Sequence, residues 1–426
     1  MQARNIAMTA LTDTALWSAQ AHMPSIRGRQ IVITEGDGAY VGTESGQRLL
    51  DATAGLWHAN VGHGREELAR AAYDQMRTLE TYHVFNRFAN DVALRLADRL
   101  APLAPFEDAK VIFGSGGSEA VDTACKLARR HWQREGRTTK KIILSRTYSY
   151  HGIHGYGTSV AGLETNREGY GTDSLIPETA RVDHLDIDAV AATIAELGAD
   201  NIAAIILEPI MGTGGVYPPP PGYLEGVQRL AEENEILIIA DEVISGFGRA
   251  GTMFACEHFG FTPDMLLMAK GITSGYAPLG GILVSPRLWR GFYESQDAPV
   301  YRHGTTYAGH ATACAVAWAH LDLLERESLI PRAGELATVL DRELSALRDH
   351  ELVSEVRVGG FLAGVQLDES LSGDAVSDYA LDHGVILRVL RGNTLQISPP
   401  FIVTDAEVAT IASTIAAGID AVGAGR

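Results

Sequence analysis

Apolar and polar positions follow two rhythms along this chain of 426 residues. Between residues 31 and 52, IVITEGDGAYVGTESGQRLLDA breaks into short apolar runs separated by Gly-rich turns, which predicts a small meander of strands. From about residue 66 the spacing becomes helical, and then it alternates. The runs VIF (111–113), KIILS (141–145), IAAIILEP (202–209), ILIIADEV (236–243), MLLMA (265–269) and GGILVS (280–285) are separated mostly by helical segments such as YLEGVQRLAEENE. Short, nearly continuous apolar runs are what strands covered on both faces require. The pattern therefore predicts an α/β fold, a mostly parallel sheet sandwiched by helices.

The last hundred residues change character. Helices are predicted near 306–327 and 331–349, strands over VRVGGFLAGVQL, VILRVL and TLQIS, and a final helix from Asp405. We expect an N-terminal segment (1–60), a large domain (61–325) and a C-terminal α+β small domain (326–426). The N-terminal meander should pack with the small domain, making it discontinuous.

Composition narrows the function classes. With 46% hydrophobic and 21% charged residues the chain has a soluble globular profile, and a net charge of −18 without any Lys/Arg block leaves no footprint for nucleic acid. The N-terminal stretch MQARNIAMTALTDTALW lacks a basic segment followed by an apolar one, and no later run approaches the roughly 18 apolar residues of a membrane span. Cytoplasmic residence without a membrane partner is the expectation. Cys125, Cys256 and Cys314 are odd in number and lack metal-type spacing, favouring buried thiols over disulfides or zinc.

Four loops stand at the carboxyl ends of predicted strands, where open α/β sheets assemble ligand sites. In FGSGGSEAVDTACKLARR a strand gives way to Ser115, Gly116, Gly117 and Ser118 at a helix start, which suits an anion or, more simply, a helix capped by Ser118. A dinucleotide site fits poorly, because the third Gly of GxGxxG would fall at Glu119. SYHGIHGYG places Tyr150 and His151 after a strand; the Tyr could stack on a planar ring or sit at the surface, and His151 with His154 has no third metal ligand. ILIIADEVISGFGRAG delivers Asp241 and Glu242 to a strand end, where a carboxylate needs a cationic partner, with metal ligation and holding a proton on a ligand nitrogen both open. MLLMAKGITSGYAPLGG holds one charge, Lys270, either reaching for water or desolvated into a nucleophile.

An amine, an acid, an aromatic face and an anion cradle are together what pyridoxal 5'-phosphate demands. Over nearly the whole chain these segments resemble the class III pyridoxal-phosphate aminotransferases of fold type I. GSGGSEAVDTACKLAR is similar to the phosphate loop, YHG to the ring-stacking turn, LEP with GTGGV to the next strand end and ADEVISGFGRAG to the Asp strand. FTPDMLLMAKGITSGYAPLGG resembles the Schiff-base lysine segment and HGTTYAGHATACAVA the one that crosses a dimer interface.

The resemblance implies catalytic roles for Lys270, which would bind the cofactor aldehyde and move a proton, and for Asp241, which would pair with the ring nitrogen. Tyr150 and Val243 would sandwich the ring, with His151 in the same turn. Ser115, Gly116, Gly117 and Ser118 would hold the phosphate and Thr306 would reach it from the neighbouring subunit. The implied assembly is a homodimer with shared active sites, or a tetramer of such dimers. Glu208 is similar to a family glutamate near the cofactor, with a structural hydrogen-bonding role equally open.

AGLWHANVGHGREEL resembles the subgroup acting on ω-amino acids and simple amines with pyruvate as acceptor. Trp57, Phe85 and Phe88 would line its substrate pocket, core packing being the alternative for each. GVILRVLRGNTLQISPPFIVT is similar to the segment whose arginine clamps a substrate carboxylate, here Arg388. It departs from the pattern, since three residues separate Arg388 from Gly392 where two are usual, and Arg391 is the other candidate. Ala311 stands where proline is frequent. The implied reaction is ping-pong transfer of an amino group from an ω-amino acid or primary amine to a keto acid, pyruvate first. Alternatives are 4-aminobutyrate, ornithine or acetylornithine and diamine transaminases; Leu56, Trp57 and TYAGH disfavour a decarboxylating relative or an aminomutase.

Overall fold

The structure, a computed structural model, describes residues 14–171 and 174–425, so most of the N-terminal stretch read for targeting signals lies outside the described residues. The apolar meander folds as β1 (Ile33–Asp37), β2 (Tyr40–Thr43) and β3 (Arg48–Asp51), paired antiparallel in sequence. A central seven-stranded sheet follows, made of β4 (Lys110–Gly114), β5 (Ile142–Arg146), β6 (Thr179–Val182), β7 (Ile202–Leu207), β8 (Leu237–Asp241), β9 (Met265–Met268) and β10 (Gly280–Val284). Its order is β4-β10-β9-β8-β7-β5-β6, with β10 antiparallel to both neighbours and the other pairings parallel.

Every residue of β7 through β10 is buried, the consequence of helices on both faces. Ile143, Ala204, Ile206, Ile239, Leu267 and Ile282 meet the Gly117–Arg134 helix through Ala120, Val121, Ala124 and Ala128. The alternate residues Leu144, Ile205, Leu207, Ile238, Ala240 and Leu266 join the larger core on the opposite face. The period of two puts one strand residue in each core by turns. Sequence reading missed β6, an edge strand in which Val182 alone is buried and no apolar run announces it.

A third sheet contains β11 (Val353–Val358), β12 (Ala363–Leu367), β14 (Arg388–Leu390) and β15 (Thr394–Ile397), in the order β11-β12-β15-β14. Between them β13 (Val385–Ile386) leaves this sheet and pairs in parallel with β3, Val385 opposite Leu50 and Ile386 opposite Asp51. The single predicted strand VILRVL is thus divided between two sheets at Leu387. That division sets the end of the N-terminal meander beside the start of the strand carrying Arg388.

Two helix boundaries and one hydropathy reading change. The helix expected from 306 begins at Ala311, because Gly309 at φ +64° interrupts it, and the next runs Leu329–Glu343 before a 3₁₀ turn over Ser345–Asp349. The final helix, Asp405–Ala424, is long and apolar enough to cross a bilayer by length and composition, contrary to the expectation that no run would be. Its buried residues Val408, Ile411, Ala412, Ile415 and Ile419 form one stripe at helical spacing, which packs on the Leu329–Glu343 and Gly373–Asp382 helices. A Thr404–Glu407 capping box starts it.

Candidate active site

Because β5, β7, β8 and β9 are parallel neighbours, their carboxyl ends open on one edge of the sheet, and the chain places a polar residue at each. Tyr150 and His151 follow β5, Glu208 follows β7, Asp241 ends β8 and Lys270 follows β9. Beside them β4 ends at Gly114 and leads through Ser115 and Gly116 into the Gly117–Arg134 helix.

Asp241 is buried, with one oxygen 2.8 Å from His151 Nδ1 and the other accepting the Val243 amide at 3.2 Å. Glu242 turns away and accepts from Ser245 and the amides of Ala255 and Cys256, so it serves the core instead of the cleft. Glu208 accepts from the Tyr150 amide at 3.2 Å and the Gly212 amide at 2.9 Å, and burial pushes its carboxyl above the usual range. It clasps the backbone of the turn that carries Tyr150.

Lys270 is the first residue of a 3₁₀ turn at φ +44°, half-buried and pointing into the cleft. Among the described residues its amine has neither a hydrogen bond nor an ion-pair partner. Desolvation lowers its pKa to about 8, against the opposing fields of Asp241 and Glu208 and with a smaller contribution from Arg388. The ammonium lies 5.9 Å from the Trp57 ring centre, and the Arg388 guanidinium lies 4.7 Å from the same centre. One terminal nitrogen of Arg388 is buried without an acceptor among the described residues, a donor suited to a ligand carboxylate. Arg391, by contrast, lies exposed with its guanidinium 3.3 Å over the Tyr148 ring.

The loop carrying Trp57 is backbone of unusual shape, with Ala54, Gly55 and Trp57 all at positive φ. Asp51 holds it. Its carboxylate accepts from Thr53 N and Oγ1 and from Gly55 N at 2.6–3.0 Å and lies 3.1 Å from His63 Nε2. Burial raises this carboxyl's pKa, but His63, Thr53 and Gly55 together hold it below its ordinary value. Asp51→Ala should cost about 3 kcal/mol by leaving buried amides unpaired, read by chemical denaturation. A variant of unchanged stability would refute this account of the loop.

Sequence reading missed this clasp, although Asp with Thr and Gly two and four residues on is an Asx-turn signal. It also missed Arg249, fully buried with its pKa lowered to about 9 by desolvation. Arg249 joins the loop after β8 to Phe361 and Pro399 carbonyls and to Asn60, two residues past His58 in the Trp57 loop. Nothing local in GFGRAG reveals that. Phe85, Phe88 and Thr306 lie elsewhere, on the surface of the chain: both rings are exposed with Tyr82 and Tyr307, Phe85 packs beside Gly304, and Thr306 is exposed in a turn.

The anion cradle passes a geometric test. Ala120 is the first amide of its helix to find a carbonyl, on Gly116 at 3.1 Å, and those of Gly117, Ser118 and Glu119 have no acceptor among the described residues. A Cβ at Gly116 would point into open space, and one at Gly280 would strike the Gly116 backbone at 2.7 Å, so glycine keeps this corner open. Val243 packs against Gly117, where a Cβ would come within 3.0 Å of its methyl. A phosphate at the helix start, a ring beside Val243 and an aldehyde at Lys270 fit these residues.

The sheet order and this set of strand ends are those of a fold type I, pyridoxal-phosphate-dependent enzyme. The chain belongs to the aminotransferase class-III family, whose model matches residues 23–419, and it is a pyridoxal-phosphate-dependent aminotransferase. It is 35% identical over 405 residues to a putrescine–pyruvate aminotransferase of Pseudomonas aeruginosa, covering 88% of each chain. To an omega-aminotransferase of Caulobacter vibrioides it is 34% identical over 411 residues, 90% of this chain and 92% of the relative. Among solved structures, an amine transaminase from an uncultivated Pseudomonas species in its PLP-bound form superposes with a TM-score of 0.92 at 34% identity, over 96% of this chain and 99% of that one.

Proposed function

We propose that the enzyme moves an amino group from an ω-amino acid or primary amine to a keto acid, with pyruvate as the preferred acceptor. The observation that carries the catalytic assignment is Lys270, an amine inside the cleft with no counter-ion among the described residues and a pKa lowered to about 8. When bound, pyridoxal phosphate supplies a conjugated ring that takes up the electron pair left when a carbon next to nitrogen loses its proton. Lys270 would hold the cofactor by its aldehyde and, with its amine free, would carry a proton on Nζ. Asp241, steadied by His151 and the Val243 amide, keeps a proton on the ring nitrogen.

Tyr150 and Val243 would bound the ring, and Ser115, Gly116, Gly117 and Ser118 would receive the phosphate, whose charge suits the helix start. Glu208 keeps the Tyr150 turn in shape. Thr306 would reach the phosphate held by a second copy, and the exposed Tyr82, Phe85, Phe88 and Tyr307 support burial of that surface in a homodimer. Pairing of β3 with β13 supports a discontinuous small domain built from 1–60 and 326–426 around a large domain of 61–325. Cytoplasmic residence belongs to the same reading.

Arg388 serves as the carboxylate clamp. Its unpaired buried nitrogen supports that role, and the stacking of Arg391 on Tyr148 disfavours the alternative. Resting against Trp57, the guanidinium leaves space for an uncharged amine and turns to meet a keto acid. Arg388→Ala should raise the Michaelis constant for pyruvate about 10- to 100-fold, the worth of a charge-assisted hydrogen-bond pair, with little change for 1-phenylethylamine. Equal effects on both substrates would exclude the clamp.

Borohydride reduction of the holoenzyme followed by peptide mapping tests the central assignment. The label should fall on the peptide containing Lys270; a label on any other lysine, or none, overturns it. The donor class is then read from single-turnover bleaching of the bound cofactor by β-alanine, 4-aminobutyrate, ornithine, putrescine and 1-phenylethylamine.

A further inference from the structure

A groove on the outer side of the Gly117–Arg134 helix collects cations on a chain whose net charge is −18. The helix supplies Lys126, Arg129 and Arg130 along one face. Lys141 comes from the approach to β5 and Arg302 from the loop over residues 300–302, while Tyr156 and Tyr301 help wall a cavity of about 730 Å³. Lys126 lies nine residues into the helix, about 13 Å along its axis from the glycine cradle.

Ordinary reasons account for some of these charges. Arg129 is committed to Glu178, 3.4 Å from its carboxylate and hydrogen-bonded to its carbonyl and that of Lys141. Lys140, also in the wall, turns inward onto the carbonyls of Ala199, Ile202, Asn234 and Glu235. His131 and Arg134 stand in the last turn of the helix, where cations offset its dipole; Arg130 precedes that turn. None of these reasons extends to Lys141 and Arg302: both are exposed, and neither side chain has a hydrogen-bond or ion-pair partner among the described residues. Among the described residues Lys126 meets the neutral acceptor His303 Nδ1, at 2.9 Å, and Arg130 the side-chain oxygen of Gln133, at 2.8 Å, and neither meets a carboxylate. Glu178, the acid in the lining among the described residues, pairs with Arg129.

Lys126, Arg130, Lys141 and Arg302 share one cavity in which, among the described residues, none of them has a carboxylate partner, and they repel one another. We infer that this groove binds a small phosphate-class anion, inorganic phosphate or a phosphomonoester, at a site separate from the cofactor cradle. Arg130 and Arg302 offer forked donors and Lys126 and Lys141 point charges, a mixture suited to a dianion.

Occupancy should be felt at the active site. The loop from Tyr301 to Thr305 is stitched to the same helix: Tyr301 donates to the Thr123 carbonyl at 2.8 Å and His303 Nε2 lies 2.7 Å from Thr123 Oγ1. Thr305 donates to Glu119 at 3.2 Å, and the same Glu119 oxygen accepts from the Ser115 amide at 2.6 Å. An anion joining Lys126 to Arg302 stiffens the connection that leads to Ser115 at one end and Thr306 at the other, and so slows loss of the cofactor. This second effect rests on the proposed roles of the cradle and Thr306; the binding itself does not.

The test is calorimetric titration of the fully loaded holoenzyme, whose cradle is filled, with sodium phosphate and separately with ribose 5-phosphate at matched ionic strength. Saturable binding that weakens with added salt is expected, with affinity about tenfold lower in the folded double variant K141Q/R302Q. Saturation by one probe and not the other identifies the source. Heats no different from those of sodium chloride, or equal affinity in the variant, overturn the site. An unchanged rate of cofactor loss in saturating phosphate overturns the coupling while the binding stands.

Discussion

Replacing Lys270 with alanine should reduce transamination by roughly 10⁴-fold or more, since one side chain is being asked both to hold the cofactor and to carry the proton. The variant should still fold, because the amine has no partner among the described residues that its removal would strand. Steady-state assay with 1-phenylethylamine and pyruvate checks the rate, and denaturation checks the fold. In the parent enzyme the proton-transfer step needs neutral Nζ, so its rate should climb as pH rises through about 8 and flatten above. A variant retaining a tenth of the parent rate would move the proton carrier elsewhere.

Asp241→Asn should lower kcat by about 10²–10³, the usual worth of one fixed charge facing developing charge. The amide keeps the size of the carboxylate and can still accept from Val243, so cofactor affinity should suffer much less than turnover. His151 is the informative neighbour, because its Nδ1 loses an anionic partner at 2.8 Å while its Nε2 is buried without an acceptor among the described residues. Single-turnover kinetics with the variant separate chemistry from binding. Loss confined to binding would mean that Asp241 only shapes the cleft.

Most of the sheet was legible because its strands are buried on both sides, and a short continuous apolar run such as Ile202–Leu207 suits little besides a strand covered on both faces. The edge strand Thr179–Val182 was not, because one buried side chain makes no pattern. Lys270 and Asp241 could be singled out for a related reason: a charge directly after a buried run is conspicuous. Arg388 and Arg391 could not be separated, since their difference arises from the turn that stacks Arg391 on Tyr148.

The sequence by itself determined which elements are buried and which polar groups stand at their ends, because side-chain periodicity and the cost of burying charge act locally. Only the tertiary structure decided which groups meet. β13 crosses to β3, and Arg249 ties Phe361 and Pro399 to Asn60. Such partners lie far apart along the chain, and their meeting depends on strand register and loop closure, to which neither residue's immediate neighbours in sequence are sensitive.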